Sequence, residues 1–298
     1  LLGSQAYGKT FIENILLSED IINSINCLKK LGIRISLSKK NCFVYGKGLN
    51  GFKYKKNITL DAGNSGTFAR LILGLLVKSP YYIKLIGDKS LSQRDFERVI
   101  SPLQKIGANF KVNKKKTLPL QIIGSNFTNP ILYFENKGSA QCKSTVMFAA
   151  LNSPGETVIK AKKSRDHTEN IFKYLGIPII TKKTKVNDEI KVKGQKLFRS
   201  FKYKVPSDPS SCAFFIVLTL LSKNCELKIK NVNVNPSRIG YIGVLNKMGA
   251  KIKMKNIKKR YGEKQADIFV KSQPLLRRIS CPPSLNSNLI DEFLIVFL

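Results

Sequence analysis

The sequence has no tryptophan, one histidine (His167), three methionines and 19 acidic residues against 52 lysines and arginines, and each shortage closes off a class of function. A single histidine leaves little to build a His-rich metal cluster from. The six cysteines (Cys27, Cys42, Cys142, Cys212, Cys225, Cys281) are scattered without a CxxC pair, which argues against a zinc site or a Cys-His dyad. Lone thiols of this kind are expected to be mostly buried and reduced, which suits a cytoplasmic or other reducing compartment. Long apolar runs are also missing. The run Ala213 to Leu221 (AFFIVLTLL) is too short to span a bilayer and reads as a buried core helix.

With 43% hydrophobic residues over 298 positions, the chain has ample material for packed cores, and its length predicts about two domains. The net charge of +33 raises affinity for any polyanion. Its distribution points elsewhere: Lys251, Lys253 and Lys255 alternate with Ile252 and Met254, the pattern of a solvated strand face. No aromatic-interleaved basic stripe, zinc-knuckle spacing or RNA-binding signature accompanies the charge, so a small anionic substrate is preferred over nucleic acid. Abundant Lys, Asn and Ile also fit nucleotide bias in the coding DNA.

A repeat organises the chain. CLKKLGIRI, PLQKIGANF, FKYLGIPI and VLNKMGAKI each read as the end of an amphipathic helix followed by a strand, with Gly32, Gly107, Gly176 and Gly249 where a left-handed C-cap residue is needed. These glycines stand 75, 69 and 73 residues apart, so the building unit is about 70 residues. A second, strongly apolar helix with a small, polar start is expected ahead of each unit's first strand: GNSGTFARLILGLL, SAQCKSTVMFAAL and DPSSCAFFIVLTLL. LLGSQAYGKT reads as the tail of another. Helices alternating with strands predict an α/β fold. The domain boundary is placed at Val205 to Asp208, giving residues 1–205 as a three-unit domain and 206–298 as a partial second one.

Leu60 to Arg70 (LDAGNSGTFAR) is the sharpest of the helix starts. Gly63, Asn64, Ser65, Gly66 and Thr67 leave the backbone uncrowded where a helix exposes unpaired N–H groups and its positive dipole end, a place for phosphate or carboxylate. The plainer reading is that Asn64 or Ser65 caps a buried helix.

Taken together, GNSGTFAR, GDKSLSQRDFERV, SAQCKSTVMFAAL, SRDHTENIFKYLG, VPSDPSSCAFF, NPSRIG and LIDE resemble, in order and spacing, the 5-enolpyruvylshikimate-3-phosphate (EPSP) synthase family across essentially the whole chain. The resemblance implies an inside-out α/β barrel fold of βαβαββ units in two domains. It also implies transfer of the enolpyruvyl group of phosphoenolpyruvate to the 5-hydroxyl of shikimate 3-phosphate, with release of phosphate, on the route to chorismate and the aromatic amino acids. No cofactor or metal is implied, and a monomer with neither nucleic-acid nor membrane partner is expected.

Carried over residue by residue, the resemblance places Asn64, Gly66, Thr67, Arg94 and Gln141 at phosphoenolpyruvate, and Ser139, Ala140, Gln141, Ser164, Arg165 and Asp291 at shikimate 3-phosphate. Arg94 suits a carboxylate or phosphate because its planar guanidinium binds bidentately. Ala140 stands where many relatives carry a second serine. Asp291 matches the family's catalytic aspartate, which accepts the proton of the attacking hydroxyl, and Glu292 has at most a supporting role. Lys143 is a weaker candidate whose alternative is a lysine on an exposed helix edge. Asp166, His167, Thr168 and Glu169 read mainly as helix-start chemistry.

Two departures stand out. Asp95 replaces the proline that usually follows the motif arginine, and NSNLIDEFL lacks the prolines that often flank LIDE. Gly66 keeps the small residue that leaves room for the glyphosate type of mimic. The rivals are the sister transferase that acts on UDP-N-acetylglucosamine and, from another class, a basic nucleic-acid-binding protein. Because residue 1 is Leu and DEFLIVFL reads as the opening of a further apolar helix, the chain is expected to be a piece of a longer protein, with any targeting peptide left open. The family's N-terminal Lys-Ser and Arg motif and its later Lys and Arg positions have no counterpart here. The 298-residue chain alone is therefore expected to release no phosphate above background from the two substrates, a result that turnover by the purified chain would overturn.

Overall fold

The computed structural model describes residues 1–184, 186–273, 275–281 and 286–296. It divides into two compact units. One comprises residues 1–162 and 172–204; the other comprises residues 163–171 and the chain from Val205 onward.

In the first unit the chain runs α1 (Leu2–Gln5), β1 (Tyr7–Glu13), α2 (Glu19–Lys30), β2 (Arg34–Ser38) and β3 (Asn41–Lys47). It continues through β4 (Ile58–Asp61), α3 (Gly66–Leu75), β5 (Ile83–Ile86), a 3-10 turn at Leu91–Gln93, α4 (Glu97–Ile106), β6 (Asn109–Lys111) and β7 (Leu120–Ile123). Then follow β8 (Leu132–Glu135), α5 (Ala140–Ala150), β9 (Glu156–Lys162), α6 (His167–Tyr174), β10 (Ile179–Lys183), β11 (Asn187–Lys193) and β12 (Lys202–Lys204). The contact division passes through α6.

These elements form three four-stranded sheets of one design. In the order β4-β5-β7-β6, the first pair is parallel and the others antiparallel. The sheet β8-β9-β11-β10 repeats it. The βαβαββ unit expected from the resemblance is thus present, and the glycine caps carry it: Gly32, Gly107, Gly176 and Gly249 have φ of +82°, +127°, +69° and +106°. Where the sequence predicts a helix ahead of each unit's first strand, a strand of three or four residues comes first. For the opening unit that strand arrives late, since β12 pairs in parallel with β1. Of the expected helix tail LLGSQAYGKT only Leu2–Gln5 is helical, in α1; from Tyr7 the segment is extended and forms the start of β1.

The core of this unit is the packing of α3 against α5. From Cys142 to Ala150 every residue of α5 is buried, which explains why its sequence shows no amphipathic stripe. Lys143 is therefore fully buried, and the alternative of a lysine on an exposed helix edge is overturned. The close approach is made at Gly74, where an added Cβ would meet the Thr145 carbonyl oxygen at 2.3 Å.

The second unit holds α7 (Pro209–Leu221), β13 (Glu226–Asn233), α8 (Gly240–Lys247), β14 (Lys253–Arg260), β15 (Glu263–Lys271), α9 (Asn286–Leu289) and α10 (Phe293–Val296). Its sheet has the order β13-β15-β14, and Ser207 makes a parallel bridge to Val232 where the first strand of a unit would lie. α7 is only half of the buried helix expected. Cys212, Ala213, Ile216, Val217 and Leu220 are buried, whereas Phe214, Phe215, Leu218 and Leu221 are exposed, because no described element covers that face. The apolar helix expected over DEFLIVFL is α10 as far as Val296, and Phe297 and Leu298 lie outside the described residues. All six cysteines are free thiols, with Cys27, Cys42, Cys142 and Cys212 buried. Among the described residues no helix is long and apolar enough to cross a membrane.

Gly74→Ala separates two opposing effects. Alanine favours the helix by up to about 1 kcal/mol. Overpacking against a backbone carbonyl costs about 1–3 kcal/mol. A lower urea midpoint is expected, and a higher one would mean that α3 and α5 have room to spare.

Candidate active site

The start of α3 is built by three local devices. Gly63 has φ +54°, and its N–H donates to Asp61 Oδ1 at 2.9 Å, closing the turn after β4. Ser65 then caps the helix, its hydroxyl accepting from Phe68 N at 3.3 Å. Asn64, exposed, donates its amide to the Asp88 carboxylate, which also accepts from Leu91 N at 2.7 Å. Those donors hold the Asp88 carboxyl below the usual range and tie the helix start to the segment that carries Arg94.

Gly66 opens the helix, and two guanidinium groups meet over it. A methyl group on Gly66 would stand 2.9 Å from Arg94 Nη1 and 3.2 Å from Arg70 Nη1. Arg70 had no place in the sequence-based site. It lies four residues after Gly66, one helical turn on and therefore on the same face, which is the signal that could have found it. Arg70 Nη1 donates to Gln141 Oε1 at 2.7 Å, and Gln141 Nε2 donates to Thr67 Oγ1 at 2.9 Å. Thr145 Oγ1 donates to the backbone oxygens of Arg70 and Gln141 at 3.1 and 2.9 Å, fastening the two helices at this point. Burial pushes the Arg70 guanidinium down from its ordinary value, and the charges of Arg94 and Arg98 add to the shift. Arg94 is exposed and forms no ion pair among the described residues.

Ser139 caps α5 by accepting from Cys142 N at 3.3 Å, which leaves the hydroxyl proton free to be donated. Its own N–H is held by the buried Glu135, at 2.8 Å from Oε2. Ala140 begins the helix and contributes only backbone. In this unit, then, Asn64, Gly66, Thr67, Gln141 and Arg94 gather around the start of α3, with Ser139 and Ala140 at the start of α5.

The other predicted residues belong to the second unit. Arg165 Nη2 donates to Asp291 Oδ2 in an ion pair, so the two are brought together. Asp291 is exposed, in the turn between α9 and α10. Its neighbour Glu292 is buried and accepts from Ser210 Oγ. That hydroxyl also accepts from Arg238 Nη2 at 2.7 Å, and the same nitrogen donates to Asp208 Oδ1 at 3.1 Å. Asp208 caps α7 by accepting from Ser211 N at 2.8 Å. The Ser164 hydroxyl oxygen is buried without a hydrogen-bond partner among the described residues.

His167 and Asp166 do more than start a helix. His167 Nδ1 meets Glu263 Oε1 at 2.7 Å, and Asp166 Oδ1 accepts from Asn235 Nδ2 at 2.7 Å and Asn170 Nδ2 at 3.2 Å. No group of His, Cys, Asp and Glu suited to hold a metal ion occurs among the described residues.

Repeated βαβαββ units, with capped helix starts and the exposed Arg94 beside one of them, are the features of an anion-handling α/β protein. A family model described as EPSP synthase (3-phosphoshikimate 1-carboxyvinyltransferase) matches residues 1–295. Curated proteins named 3-phosphoshikimate 1-carboxyvinyltransferase from Syntrophomonas wolfei and Ruthia magnifica are 40% and 41% identical. The alignments cover 98% and 100% of this chain, and 67% of each relative. The solved EPSP synthase of Acinetobacter baumannii superposes with a TM-score of 0.89 at 32% identity, covering 99% of this chain and 66% of that one. The chain belongs to the EPSP synthase family and spans about two thirds of the length of these relatives.

The buried Glu263 makes this site sensitive to acid. Burial pushes its carboxyl up, but the hydrogen bond and charge of His167 and the amides of Asn235 and Asn170 outweigh that and hold it below the usual glutamate range. A depressed carboxyl contributes stability that is present above its unfolded value and is lost as pH falls through the folded one. In urea titrations the parent chain is expected to lose stability below about pH 4.5 more steeply than Glu263→Gln does. Parallel curves would mean that the carboxylate contributes nothing.

Proposed function

We propose that the whole gene product transfers the enolpyruvyl group of phosphoenolpyruvate to the 5-hydroxyl of shikimate 3-phosphate, releasing phosphate. The observation that carries this is the meeting of Arg94 and Arg70 over Gly66 at the start of α3. Two guanidiniums and a helix N-terminus form a site for a compact dianion, and Gly66, with no side chain, leaves space between them. We assign phosphoenolpyruvate to Asn64, Gly66, Thr67, Arg94 and Gln141, with Arg70 orienting Gln141. Shikimate 3-phosphate is assigned to Ser139, Ala140, Gln141, Ser164, Arg165 and Asp291.

The chemistry follows from charge. Protonation of the phosphoenolpyruvate methylene leaves positive character at C2, which the substrate hydroxyl attacks. Asp291 accepts the hydroxyl proton, and a tetrahedral intermediate forms. In the collapse a methyl proton is lost as the C–O bond to phosphate breaks, which restores the C=C double bond, and the arginines stabilise the charge developing on the departing phosphate. The reading includes no cofactor or metal, a monomer in the cytoplasm, and a domain boundary at Val205 to Asp208.

The test offers the intact gene product phosphoenolpyruvate with either shikimate 3-phosphate or UDP-N-acetylglucosamine. Phosphate release is expected only with the first. Arg94→Ala is expected to lower kcat/KM by about a hundredfold or more. Release with the nucleotide sugar, or silence with both from a folded protein, overturns the reading.

A further inference from the structure

Residues 163–171 lie in sequence between two strands of the first unit, β9 and β10, yet they group with the second. What holds this excursion is a small set of side chains around one buried carboxylate. Glu263 is 4% exposed. It opens β15 directly after the turn Tyr261–Gly262, whose residues have φ of +53° and +83°, and it pairs in register with Arg260. A two-residue turn of this kind fixes the strand that follows it.

Asn235, which donates to Glu263, is itself oriented. Asn235 Nδ2 donates to Glu263 Oε2 at 3.1 Å and to Asp166 Oδ1 at 2.7 Å. Its carbonyl oxygen accepts from Ser237 N at 2.9 Å and Ser237 Oγ at 2.8 Å, so the amide cannot flip without losing all four bonds. Asn170 Nδ2 bridges the same two carboxylates at 3.2 and 3.3 Å, and Asn233 Nδ2 reaches Glu263 Oε2 at 3.4 Å. His167 Nδ1 presents its proton to Glu263 Oε1, which as a carboxylate only accepts. The network therefore binds Asp166, His167 and Asn170 to the sheet and leaves their neighbour Arg165 pointing at Asp291.

We propose that Glu263 is a positioning residue that acts through His167, Asn170 and Asn235 to fix the 163–171 segment, so that Arg165 is presented for the phosphate of the acceptor substrate. This rests on the assignment of Arg165 given above. It also gives His167 a role as a hydrogen-bond donor rather than a proton-transfer catalyst.

The test uses Glu263→Ala, Glu263→Gln, His167→Phe and His167→Asn. In the intact gene product, Glu263→Ala and His167→Phe are expected to raise the KM for shikimate 3-phosphate about tenfold or more while leaving the KM for phosphoenolpyruvate near its parent value. His167→Asn is expected to restore most of the loss, because an asparagine amide N–H can stand where Nδ1 stands. An unchanged KM for shikimate 3-phosphate in every variant, or a KM raised as much in His167→Asn as in His167→Phe, overturns the proposal. Amide hydrogen exchange on the chain itself gives a second readout. In Glu263→Ala and Glu263→Gln, residues 163–171 are expected to exchange at least tenfold faster while the interiors of β13 and β15 keep their protection. No local change overturns the proposal. Failure of the parent protein to use shikimate 3-phosphate would sink the functional assignment alone, since exchange still decides whether Glu263 holds the segment.

Discussion

The starts of α3 and α5, where most of the candidate site residues of the first unit gather, depend on one constraint of sheet geometry: parallel neighbours cannot be joined by a hairpin. β4 and β5 pair in parallel, as do β8 and β9, so each pair needs a crossover helix. That helix starts just past the carboxyl end of the first strand, within about five residues of it in both units. Its free N–H groups and dipole are thereby placed at the same edge in every repeat. The antiparallel hairpin that finishes each unit has no such requirement and carries no predicted site residue.

Electrostatics then sharpens what the backbone begins. Arg70 is half-buried and surrounded by Arg94 and Arg98, and its guanidinium is pushed down rather than supported. A cation held in such company is stabilised by any anion that reaches it. The net charge of +33 contributes only a screened background. The local arrangement matters more: Gln141 takes its hydrogen bond from Arg70 and gives one to Thr67, so one amide links α5 to the start of α3.

How much of this was legible in the sequence depended on how local the signal was. A left-handed glycine after an amphipathic helix is a local rule, and all four positions obey it. Ser65, Ser139 and Asp208 cap the three apolar helices whose polar starts stand out by composition. The strands of three or four residues that open each unit were too short for periodicity to register. Lys143 and the exposed face of α7 depend on which neighbours surround a helix, and no pattern within the helix records that. Arg70 was within reach, one turn from Gly66. The Glu263 network was not, because it joins residues 69 to 96 positions apart through asparagines that read locally as turn formers.

The buried acids explain why so few carboxylates suffice. Taking an ionised carboxylate out of water costs several kcal/mol unless donors converge on it. Glu135 accepts from the backbone of Lys137 and Ser139, Glu263 from His167 and three asparagines, and Glu292 from Ser210. In each case the acid lies beside, or bonds to, a short segment that presents a different and more exposed side chain: Ser139, Arg165 and Asp291. A lysine in these places would offer donors where the neighbouring backbone and amide groups already supply donors, and an apolar residue would leave those groups unsatisfied. The acids that remain in this basic chain include the anchors of the loops that carry its candidate site, which is why removing one is expected to loosen a particular segment rather than the fold.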